Sequence, residues 1–383
     1  MTPAVLGNTA AWSGTEADTG AVNGVIKNDV PMQGAGFYNS NSALQAAAME
    51  RVLPLLDGAI TNKTAEGPAG TFTVVEYGSA QGKNSITPFK HIIRANVRTG
   101  RLNAQSQIQL VFSDRPGNDF TSLATTIADV HWTDDADTAN LDIFPSMIAR
   151  SFYTRVMPSR SVDAGFSLAT LHHLDHVPAL AALKAQARHD LRLFLTLRAE
   201  EFKAGAPLVL SFVSAASSGM ANYAPLVDAC RTALMQMLRE GRIPPAVARA
   251  FEVPTYDRSL EEVHASLDEV KHLWKTEDVF EAEVEHPAFG ELQRETQKKD
   301  PNNNADAKET SRQYAQTVVD WMMAVVSGYF VKALRQGFGK PLEEMEEAVL
   351  VREWRQRTTE VFLDKHRDAR VSCWFIYVKL VRM

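Results

Sequence analysis

The segment that most constrains the fold is an apolar run followed by a glycine-containing turn, VVEYGSAQGKNS over 74–85. An apolar, β-branched run that leads through glycines into a helical pattern is typical of a strand, a tight turn and a helix in an α/β protein. The N–H groups at the start of such a helix usually favour phosphate. Glu76 ends the apolar run, and its carboxylate would repel a phosphate. The loop is therefore expected to hold a ligand with an amine, sugar hydroxyls and a positive centre, a description that S-adenosylmethionine fits.

Spacing excludes two phosphate-binding motifs. A P-loop needs four residues between its glycines, followed by Lys-Ser or Lys-Thr, whereas Gly78 and Gly82 are separated by three residues and Asn84 follows Lys83. The dinucleotide fingerprint needs G-x-G-x-x-G, and this loop has G-x-x-x-G. From these residues alone, an ordinary strand-to-helix turn without a ligand stays open as an alternative.

Composition excludes several classes of function. The 383 residues are 45% hydrophobic and 22% charged, as in an ordinary globular protein. A formal net charge of −6 without a basic stretch argues against a nucleic-acid partner. The cysteines, Cys230 and Cys373, show neither a disulfide framework nor zinc-type spacing. Neither a secretory signal nor a membrane span is predicted, so a cytoplasmic location is expected, and residues 1–28 are predicted to be a mobile extension.

Strand-like and helix-like patterns alternate in the first half of the chain. This alternation predicts an α/β fold with a mainly parallel sheet. Strands are predicted over 72–77, 108–113, 162–168 and 208–213. Helices are predicted over 42–60, 85–96, 120–129 and 185–203.

The second half has a different pattern. Long amphipathic stretches over 223–240, 260–274, 312–336 and 342–364 predict a helical cap. The polar segment 297–312 is predicted to be a poorly ordered loop, and the apolar run over 373–380 a last strand that returns to the sheet. We therefore predict a core domain over 29–215 with 368–383, and a cap over 216–367 that closes a substrate pocket.

Two further segments carry side chains suited to a nucleoside. Asp114 ends the second predicted strand, where a carboxylate can accept hydrogen bonds from ribose hydroxyls, although a turn or cap role is equally compatible. Asp119, directly before a helical pattern, is the better candidate for a helix N-cap. Ser151 and Phe152 precede another turn, where an exposed aromatic ring could stack on adenine and a buried one would belong to the core.

The segment TLHHLDHVP, over 170–178, holds three histidines. Zinc is disfavoured, because the adjacent His172 and His173 are expected to point to different faces and His172 with His176 lacks the H-E-x-x-H pattern. We instead expect one or two of these imidazoles to line a pocket and donate a hydrogen bond to an acidic ligand. The sequence shows no Ser/His/Asp or Cys/His arrangement and no carboxylate cluster suited to magnesium.

Taken in order, these segments resemble the SABATH family of S-adenosylmethionine-dependent methyltransferases. The family esterifies acids such as salicylate, benzoate and jasmonate, and related members methylate xanthine nitrogens. The similarity extends from about residue 32 to 383, and PGNDF and SFY are its most specific parts. It is carried by MQGAGFYNSNSALQ, VVEYGSAQGKNS, FSDRPGNDF, SFYTRVMP, TLHHLDHVP, LRLFLTLRAEEFKAGAPLVLSF, EGRIPPAVARAFEVPTYDRSLEEV and CWFIYVKLVRM.

The resemblance implies a Rossmann-like class I methyltransferase core with an α-helical cap, a homodimer, and roles for individual residues. Residues matching the cofactor site are Tyr38, Ser42, Glu76, Gly78 and Asn84 around the methionine part, Asp114 at the ribose, and Arg115, Ser151 and Phe152 at the adenine. Residues matching the acceptor site are Gln45 and His173, which would orient the acceptor carboxylate, with His172 beside them and Tyr256 helping to close the pocket.

Three departures from the family pattern bear on the ligands. Glu76 replaces an aspartate, Gln33 stands where several members have lysine, and His173 replaces a tryptophan. Loss of the indole with His172 alongside predicts a more polar acyl pocket. The expected acceptor is a small aromatic or dicarboxylic acid with a second polar group.

The implied reaction is direct displacement of the cofactor's methyl group by a carboxylate. A carboxylate with a pKa near about 4 is already ionised at neutral pH, so no general base is required. Two alternatives stay open. A nitrogen or phenol acceptor would need a base, which the histidine pair could supply, and a catalytically silent scaffold would keep only the fold.

Overall fold

The computed structural model describes residues 30–57, 70–134, 138–176, 178–298 and 304–383. The extension predicted over 1–28 lies outside these residues. The strands are β1 Phe72–Tyr77, β2 Gln107–Asp114, β3 Asp142–Ala149, β4 Ala164–Leu168, β5 Pro207–Val213, β6 Trp274–Glu285 and β7 Ser372–Arg382. The helices are α1 Phe37–Asn41, α2 Ala43–Glu50, α3 Leu53–Leu56, α4 Ile86–Arg98, α5 Phe120–Ala128, α6 Leu183–Glu201, α7 Ala224–Arg239, α8 Pro245–Ala250, α9 Leu260–Glu269, α10 Pro287–Lys298, α11 Asn304–Gly337 and α12 Glu344–Lys365.

The strands form one sheet in the order β3-β2-β1-β4-β5-β7-β6. Neighbouring strands among β1 to β5 are parallel, and β7 is antiparallel to both β5 and β6. All residues of β1 and β5 are buried, which explains their unbroken apolar runs, since helices cover both faces of a parallel sheet. The predicted mainly parallel α/β fold is confirmed.

The chain direction reverses beside β1. The chain leaves β1 for β2 and β3 on one side of the sheet, then returns to β4 on the other. The carboxyl ends of β1 and β4 therefore border the crevice in which open α/β sheets bind ligands.

Two strands, β3 and β6, were not predicted. Both lie at the edges of the sheet. Edge strands are covered on fewer sides and so lack a continuous apolar run: β3 contains Pro145, and β6 has the polar sequence WKTEDVFEAEVE. Because β6 pairs with β7, the segment 216–367 contributes a strand to the sheet as well as the helices of the predicted cap.

One predicted helix and one predicted loop need correction. The helix predicted over 42–60 is divided into α2 and α3 within its described part, with Pro54 in the first turn of α3, where proline is tolerated. The prediction of a loop over 297–312 is wrong for the residues that the structure describes, because α10 extends to Lys298 and α11 begins at Asn304. Residues 299–303 lie outside the described residues. The polar segment contains Ala, Lys and Glu, which favour helix.

The helices of the cap pack around a buried aromatic cluster. In the cap, α12 packs on α7 and α11, and α11 also packs on α8 and α10. Trp354 of α12 is fully buried against Phe251 and Phe330, with ring centroids 5.4 and 4.7 Å away. Its indole N–H donates to the Cys230 carbonyl at 3.1 Å.

The long helix α11 has an unusual composition. Its segment Lys308–Gly337 is long and apolar enough to cross a membrane by length and composition, although the sequence analysis predicted no such span. Within the most apolar stretch of 18 residues in this segment, 67% is buried inside the protein. A core helix enclosed by neighbours is apolar all round for the same reason, so its burial accounts for the composition.

The aromatic cluster generates a stability prediction. We expect Trp354→Ala to lower the free energy of unfolding by about 3–5 kcal/mol, because the truncation opens a cavity in the cap and leaves the Cys230 carbonyl without its donor. Met345→Ala on the same helix is the control, because Met345 is 76% exposed and its loss should change stability by less than about 0.5 kcal/mol. Urea unfolding measures both, and equal midpoints would contradict this role of Trp354.

Candidate active site

A chamber opens at the carboxyl ends of β1, β2 and β4, where the chain direction reverses. We call it the first chamber. The elements that line it are the glycine loop after β1, the end of β2, the segment after β4, and residues of α1, α2 and α11. Among its lining residues are Tyr38, Gln45, Glu76, Gly78, Asn84, Asp114, Arg115, Phe152, His172, His173 and Val325. Nearly all residues predicted for one cofactor and one acceptor thus meet in a single cavity.

The glycine loop packs closely on its neighbours because its glycines lack side chains. Gly78 and Gly82 have φ angles of 98° and 84°, in the region that favours glycine. A Cβ at Gly78 would lie 2.5 Å from the Thr170 methyl carbon, and one at Gly82 would lie 2.5 Å from Leu123 Cδ1. Ala80, between them, also has a positive φ of 46°. Such strained alanines cost about 1–3 kcal/mol and concentrate at functional sites.

Glu76 is a buried acid without a full set of partners. Its side chain is 4% exposed, and Oε2 has no hydrogen-bond partner among the described residues. Burial raises the pKa of Glu76 to about 8, a hydrogen bond with Ser85 opposes the shift, and the nearby Asp114 charge adds to it. A buried carboxyl in this state gains most from a cationic ligand.

Asp114 is held by the main chain. Its Oδ2 accepts from the Ala80 N–H at 2.6 Å, and its Oδ1 accepts from the Arg115 N–H at 2.7 Å. Burial raises its pKa. The carboxylate is therefore fixed at the end of β2 facing the first chamber. Asp119 caps α5, as predicted, by accepting from the Ser122 N–H.

The remaining residues predicted for the cofactor surround these acids. Asn84 lines the first chamber, and its amide donates to the Ser42 hydroxyl at 3.0 Å, so Ser42 lies behind it. Tyr38 lines the chamber, and burial together with the Asp114 and Glu76 charges raises its pKa. Phe152 borders both the first chamber and an adjoining groove, and this groove is lined by Ser151 and Arg115.

A second chamber adjoins the first. The two share Gln45, Ala169, His172, His173 and Val325, which form the shared wall. The rest of the second chamber is mainly apolar and aromatic, with two polar side chains from the segment before α9. These lining residues are Leu44, Val213, Tyr223, Val253, Thr255, Asp257, Trp321, Met322, Val326 and Phe375.

The histidine pair differs from prediction. His172 and His173 do not point to different faces: both line both chambers, and their ring centroids are 4.4 Å apart. They follow β4 in an irregular segment, with His172 in a turn and His173 in an isolated bridge to Thr255, so the alternation of a regular strand does not apply. Among the described residues, no group of three or more His, Cys, Asp or Glu could hold a metal ion.

Both imidazoles are neutral. Burial lowers the pKa of His172 to about 3, with a smaller contribution from the Arg258 charge. Burial also holds the pKa of His173 well below its usual range, with contributions from His172 and Arg115. Nδ1 of each ring is buried and has no partner in the part of the chain that the structure describes. Buried polar atoms in native proteins are nearly always paired, so two orphaned atoms at one wall indicate a missing ligand.

Trp321 was not predicted, and it fixes the orientation of Gln45. The Trp321 indole N–H donates to Gln45 Oε1 at 2.8 Å. The Gln45 Nε2 group is therefore the end of the amide left to donate to a ligand. A lone tryptophan in the middle of α11 belongs to no motif, so no local signal could have identified it.

Tyr256 is placed differently from prediction. It lies outside the lining of both chambers, its hydroxyl donates to Glu262 Oε1 at 3.0 Å, and its N–H donates to the His172 carbonyl at 2.8 Å. Its neighbours Thr255 and Asp257 line the second chamber instead, because successive side chains of extended backbone point to opposite sides.

Comparison with known proteins decides the family. A family described as SAM dependent carboxyl methyltransferase matches residues 28–184 and 179–366. The methyltransferase LUC1 of Fusarium sp is 48% identical over 369 residues, which cover 93% of this chain and 98% of that protein. The chain belongs to the SAM-dependent carboxyl methyltransferases.

Two more distant proteins are also similar to this methyltransferase. Anthranilate O-methyltransferase 2 of Zea mays is 26% identical over 309 residues, covering 68% of this chain and 82% of that protein. The solved structure of a loganic acid methyltransferase with SAH superposes with a TM-score of 0.70 at 19% identity, covering 92% of this chain and 98% of that one. At this identity the likeness concerns the fold.

The first chamber fits the cofactor of this methyltransferase family. Glu76 offers an acid with an unpaired oxygen to an amino group, and Asp114 offers a fixed carboxylate to hydroxyls. The sequence-based choice of S-adenosylmethionine over a phosphate ligand is confirmed.

The state of Glu76 makes cofactor binding depend on pH. With a pKa of about 8 the free carboxyl is mostly protonated at neutral pH, and a bound ammonium group favours its ionised form. Binding of S-adenosylhomocysteine should therefore release a proton and strengthen between pH 6 and 7.5, by up to about tenfold per pH unit. The α-amino group of the ligand, with a pKa of about 7.7–8.0 or above, stays mostly protonated over this range, so the change in affinity reports on Glu76. Calorimetry in buffers of different ionisation enthalpy measures both quantities.

Two variants isolate the contribution of Glu76. Glu76→Gln should weaken binding at pH 7.5 and remove the pH dependence, whereas Glu261→Gln, at an exposed position on α9, should leave both unchanged. An unchanged pH dependence in Glu76→Gln would show that another group titrates.

Proposed function

We propose that this methyltransferase transfers the methyl group of S-adenosylmethionine to the carboxylate of a small organic acid and releases a methyl ester. The observation that carries the proposal is the set of hydrogen-bonding groups at the shared wall: the Gln45 amide, whose oxygen accepts from Trp321, and Nδ1 of His172 and of His173, which have no partner among the described residues. A neutral imidazole donates from Nδ1 in one of its two tautomers. Neutral donors of this kind suit an anionic oxygen.

The cofactor would occupy the first chamber. Glu76, with Tyr38, Gly78 and the Asn84–Ser42 pair, would hold the methionine part, and Asp114 the ribose. The adenine would lie at the Phe152 ring, near Arg115 and Ser151. When bound, S-adenosylmethionine supplies an electrophilic methyl group next to a positive sulfur.

The acceptor would occupy the second chamber with its carboxylate at the shared wall. Neither Lys nor Arg is among the residues that line this chamber. Gln45 and the two histidines would orient the carboxylate by hydrogen bonds, and the apolar walls would exclude water. Alignment in a dry site can supply about 7–11 kcal/mol of the barrier without a catalytic base.

Electrostatics argue against the alternative of a nitrogen or phenol acceptor. Such an acceptor must lose a proton, and a general base works best when its pKa lies near the working pH. With a pKa of about 3, His172 is too weak a base for a phenol, whose pKa is near about 10. A carboxylate needs no such help.

The names of relatives support an acid as acceptor. The names anthranilate O-methyltransferase and loganic acid methyltransferase, given to two similar proteins, each contain the name of a carboxylic acid.

We also propose a homodimer and a cytoplasmic location, supported by the family resemblance and by composition. Sedimentation velocity tests the first, and fractionation of the source cells tests the second.

An acceptor panel tests the reaction class. The purified protein is incubated with methyl-deuterated S-adenosylmethionine and a set of carboxylic acids, phenols and amines, and products are detected by mass. We expect labelled products only from acids, and we expect mild alkali to release the label, because alkali cleaves methyl esters but not methyl ethers or methylamines. Label found only on phenols or nitrogens would contradict the proposal. Binding of S-adenosylhomocysteine without transfer to any acceptor would favour the scaffold alternative.

The shared wall gives a second prediction. Gln45→Glu should lower kcat/KM for acids about 10–100-fold, because a carboxylate replaces the donor that faces the acceptor carboxylate, and the loss of a charge-assisted hydrogen bond is worth about 1.5–3 kcal/mol. Trp321→Phe should lower it about tenfold, because the Gln45 amide loses the partner that sets its orientation.

The control for Trp321→Phe is Trp132→Phe. The Trp132 indole N–H has no partner among the described residues, and its ring packs on Phe89 away from both chambers. The activity of Trp132→Phe should stay near that of the wild type. Equal losses in the two tryptophan variants would contradict a positioning role of Trp321, and affinity for S-adenosylhomocysteine should be retained in both.

A further inference from the structure

The second chamber contains a charged group that methyl transfer itself does not use. Asp257 lines the second chamber and not the first, so it lies apart from the shared wall that would hold the acceptor carboxylate. Thr255 lines the same chamber. The chamber therefore has polar groups at the shared wall, apolar sides, and a further polar position formed by Asp257 and Thr255.

Asp257 is held in place by a side chain that is itself fully engaged. Its Oδ2 accepts from Asn222 Nδ2 at 2.9 Å. Asn222 is 1% exposed, gives its second amide hydrogen to the Ser214 carbonyl at 2.9 Å, and accepts from the Trp374 N–H at 2.8 Å. Asn222 has no freedom to turn away, so the carboxylate keeps one orientation.

Among the described residues that line the second chamber, none is a Lys or Arg that could pair with Asp257. The guanidinium of its neighbour Arg258 donates to the carbonyls of Leu171 and Ala187. The other ionisable side chains that line the second chamber are His172, His173 and Tyr223, which are neutral at pH 7. Burial raises the pKa of Asp257 to about 6, although the Asn222 hydrogen bond and the Arg258 charge oppose the shift.

The Asp257 carboxylate is half-buried and accepts one hydrogen bond, from Asn222, so it gains from a further donor, because hydrogen bonds are stronger where the dielectric constant is lower than in water. The hydrogen bond from Asn222 is made to Oδ2, so Oδ1 is the oxygen that a further donor would meet. The space beside it is the second chamber. A donor on the acceptor molecule would supply the missing partner.

We propose that Asp257 determines acceptor specificity by accepting a hydrogen bond from a hydroxyl, amide or amino group on the acid, separated from the reacting carboxylate by an apolar portion. The inference rests on the proposed function. It also revises the expectation of a dicarboxylic acceptor, since a second carboxylate near Asp257 would be repelled by its like charge.

Matched acids test the proposal. The set is 4-(hydroxymethyl)-, 4-(aminomethyl)-, 4-ethyl- and 4-carboxybenzoate, with the corresponding cinnamates to vary the reach. We expect kcat/KM for at least one donor-bearing acid of a length series to exceed that of its ethyl analogue about tenfold or more, because a site built for a donor rejects an analogue that lacks it. The dicarboxylates should be the poorest acceptors.

Variants of Asp257 separate charge from hydrogen bonding. Asp257→Leu should reverse the preference in favour of the ethyl analogues. Asp257→Asn should lose the preference for the aminomethyl acids, keep part of that for the hydroxymethyl acids, and tolerate the dicarboxylates better. Asp268→Asn, at a side chain that is 72% exposed on α9, is the control and should leave the order of acceptors unchanged.

Binding of the same acids to the complex with S-adenosylhomocysteine gives a readout that does not depend on turnover. Retained affinity for S-adenosylhomocysteine verifies the fold of each variant, and Asp257→Asn decides the question if Asp257→Leu does not fold. Equal affinities across a length series in the wild type, or the same order of acids in the Asp257 variants, would overturn the role of Asp257. Tight, donor-dependent binding without ester formation from any acid would instead contradict the proposed function.

Discussion

The site depends on the hydrogen bond from the Ala80 N–H to the Asp114 carboxylate. This contact ties the glycine loop after β1 to the end of β2, and so fixes two of the strand ends that border the first chamber. It requires Ala80 in a left-handed conformation between Gly78 and Gly82, where the packing of neighbouring side chains leaves no room for a Cβ at either glycine. The strain is tolerated because β1 is buried along its whole length and cannot shift to relieve it.

The acids of the first chamber and the neutral groups of the shared wall differ in electrostatic character, which follows from their positions in the fold. The first chamber lies at the sheet, where the strand ends present Asp114 and Glu76, whose Oε2 has no partner among the described residues, and two acids side by side favour a ligand with positive groups. The shared wall presents neutral imidazoles whose protonation is suppressed by burial, together with a primary amide. A cation and an anion that meet at this wall each find the groups that suit them, and a catalytic base is not needed.

The sequence predicted what local patterns determine. Glu76, Gly78 and Asp114 could be placed because each ends or follows an apolar strand, and the carboxyl ends of neighbouring parallel strands lie at one edge. It missed what distant packing determines: Trp321 meets Gln45 across 276 residues of chain, and Asp257 enters the second chamber from a segment whose predicted residue, Tyr256, points away. The edge strands β3 and β6 were missed because exposed strands carry polar residues. The prediction that His172 and His173 point to different faces was wrong, because the irregular segment after β4 does not follow the alternation of a strand.

The dependence on distant packing makes the acceptor site a property of the assembled core and cap. Gln45 comes from α2, and its orientation is set by Trp321 of α11, whose ring also packs on Tyr223 at 5.2 Å between centroids. The segment before α1 strengthens the same link, since the Gln33 N–H donates to the Ala324 carbonyl and the Gln33 carbonyl accepts from Gln81 of the glycine loop. Gly328 permits this crossing, because a Cβ there would lie 2.7 Å from Val30. A change in how the cap packs on the core therefore alters the donors that face the acceptor, while the cofactor contacts built on the strand ends persist. Acceptor specificity can for this reason diverge among relatives that keep one cofactor site.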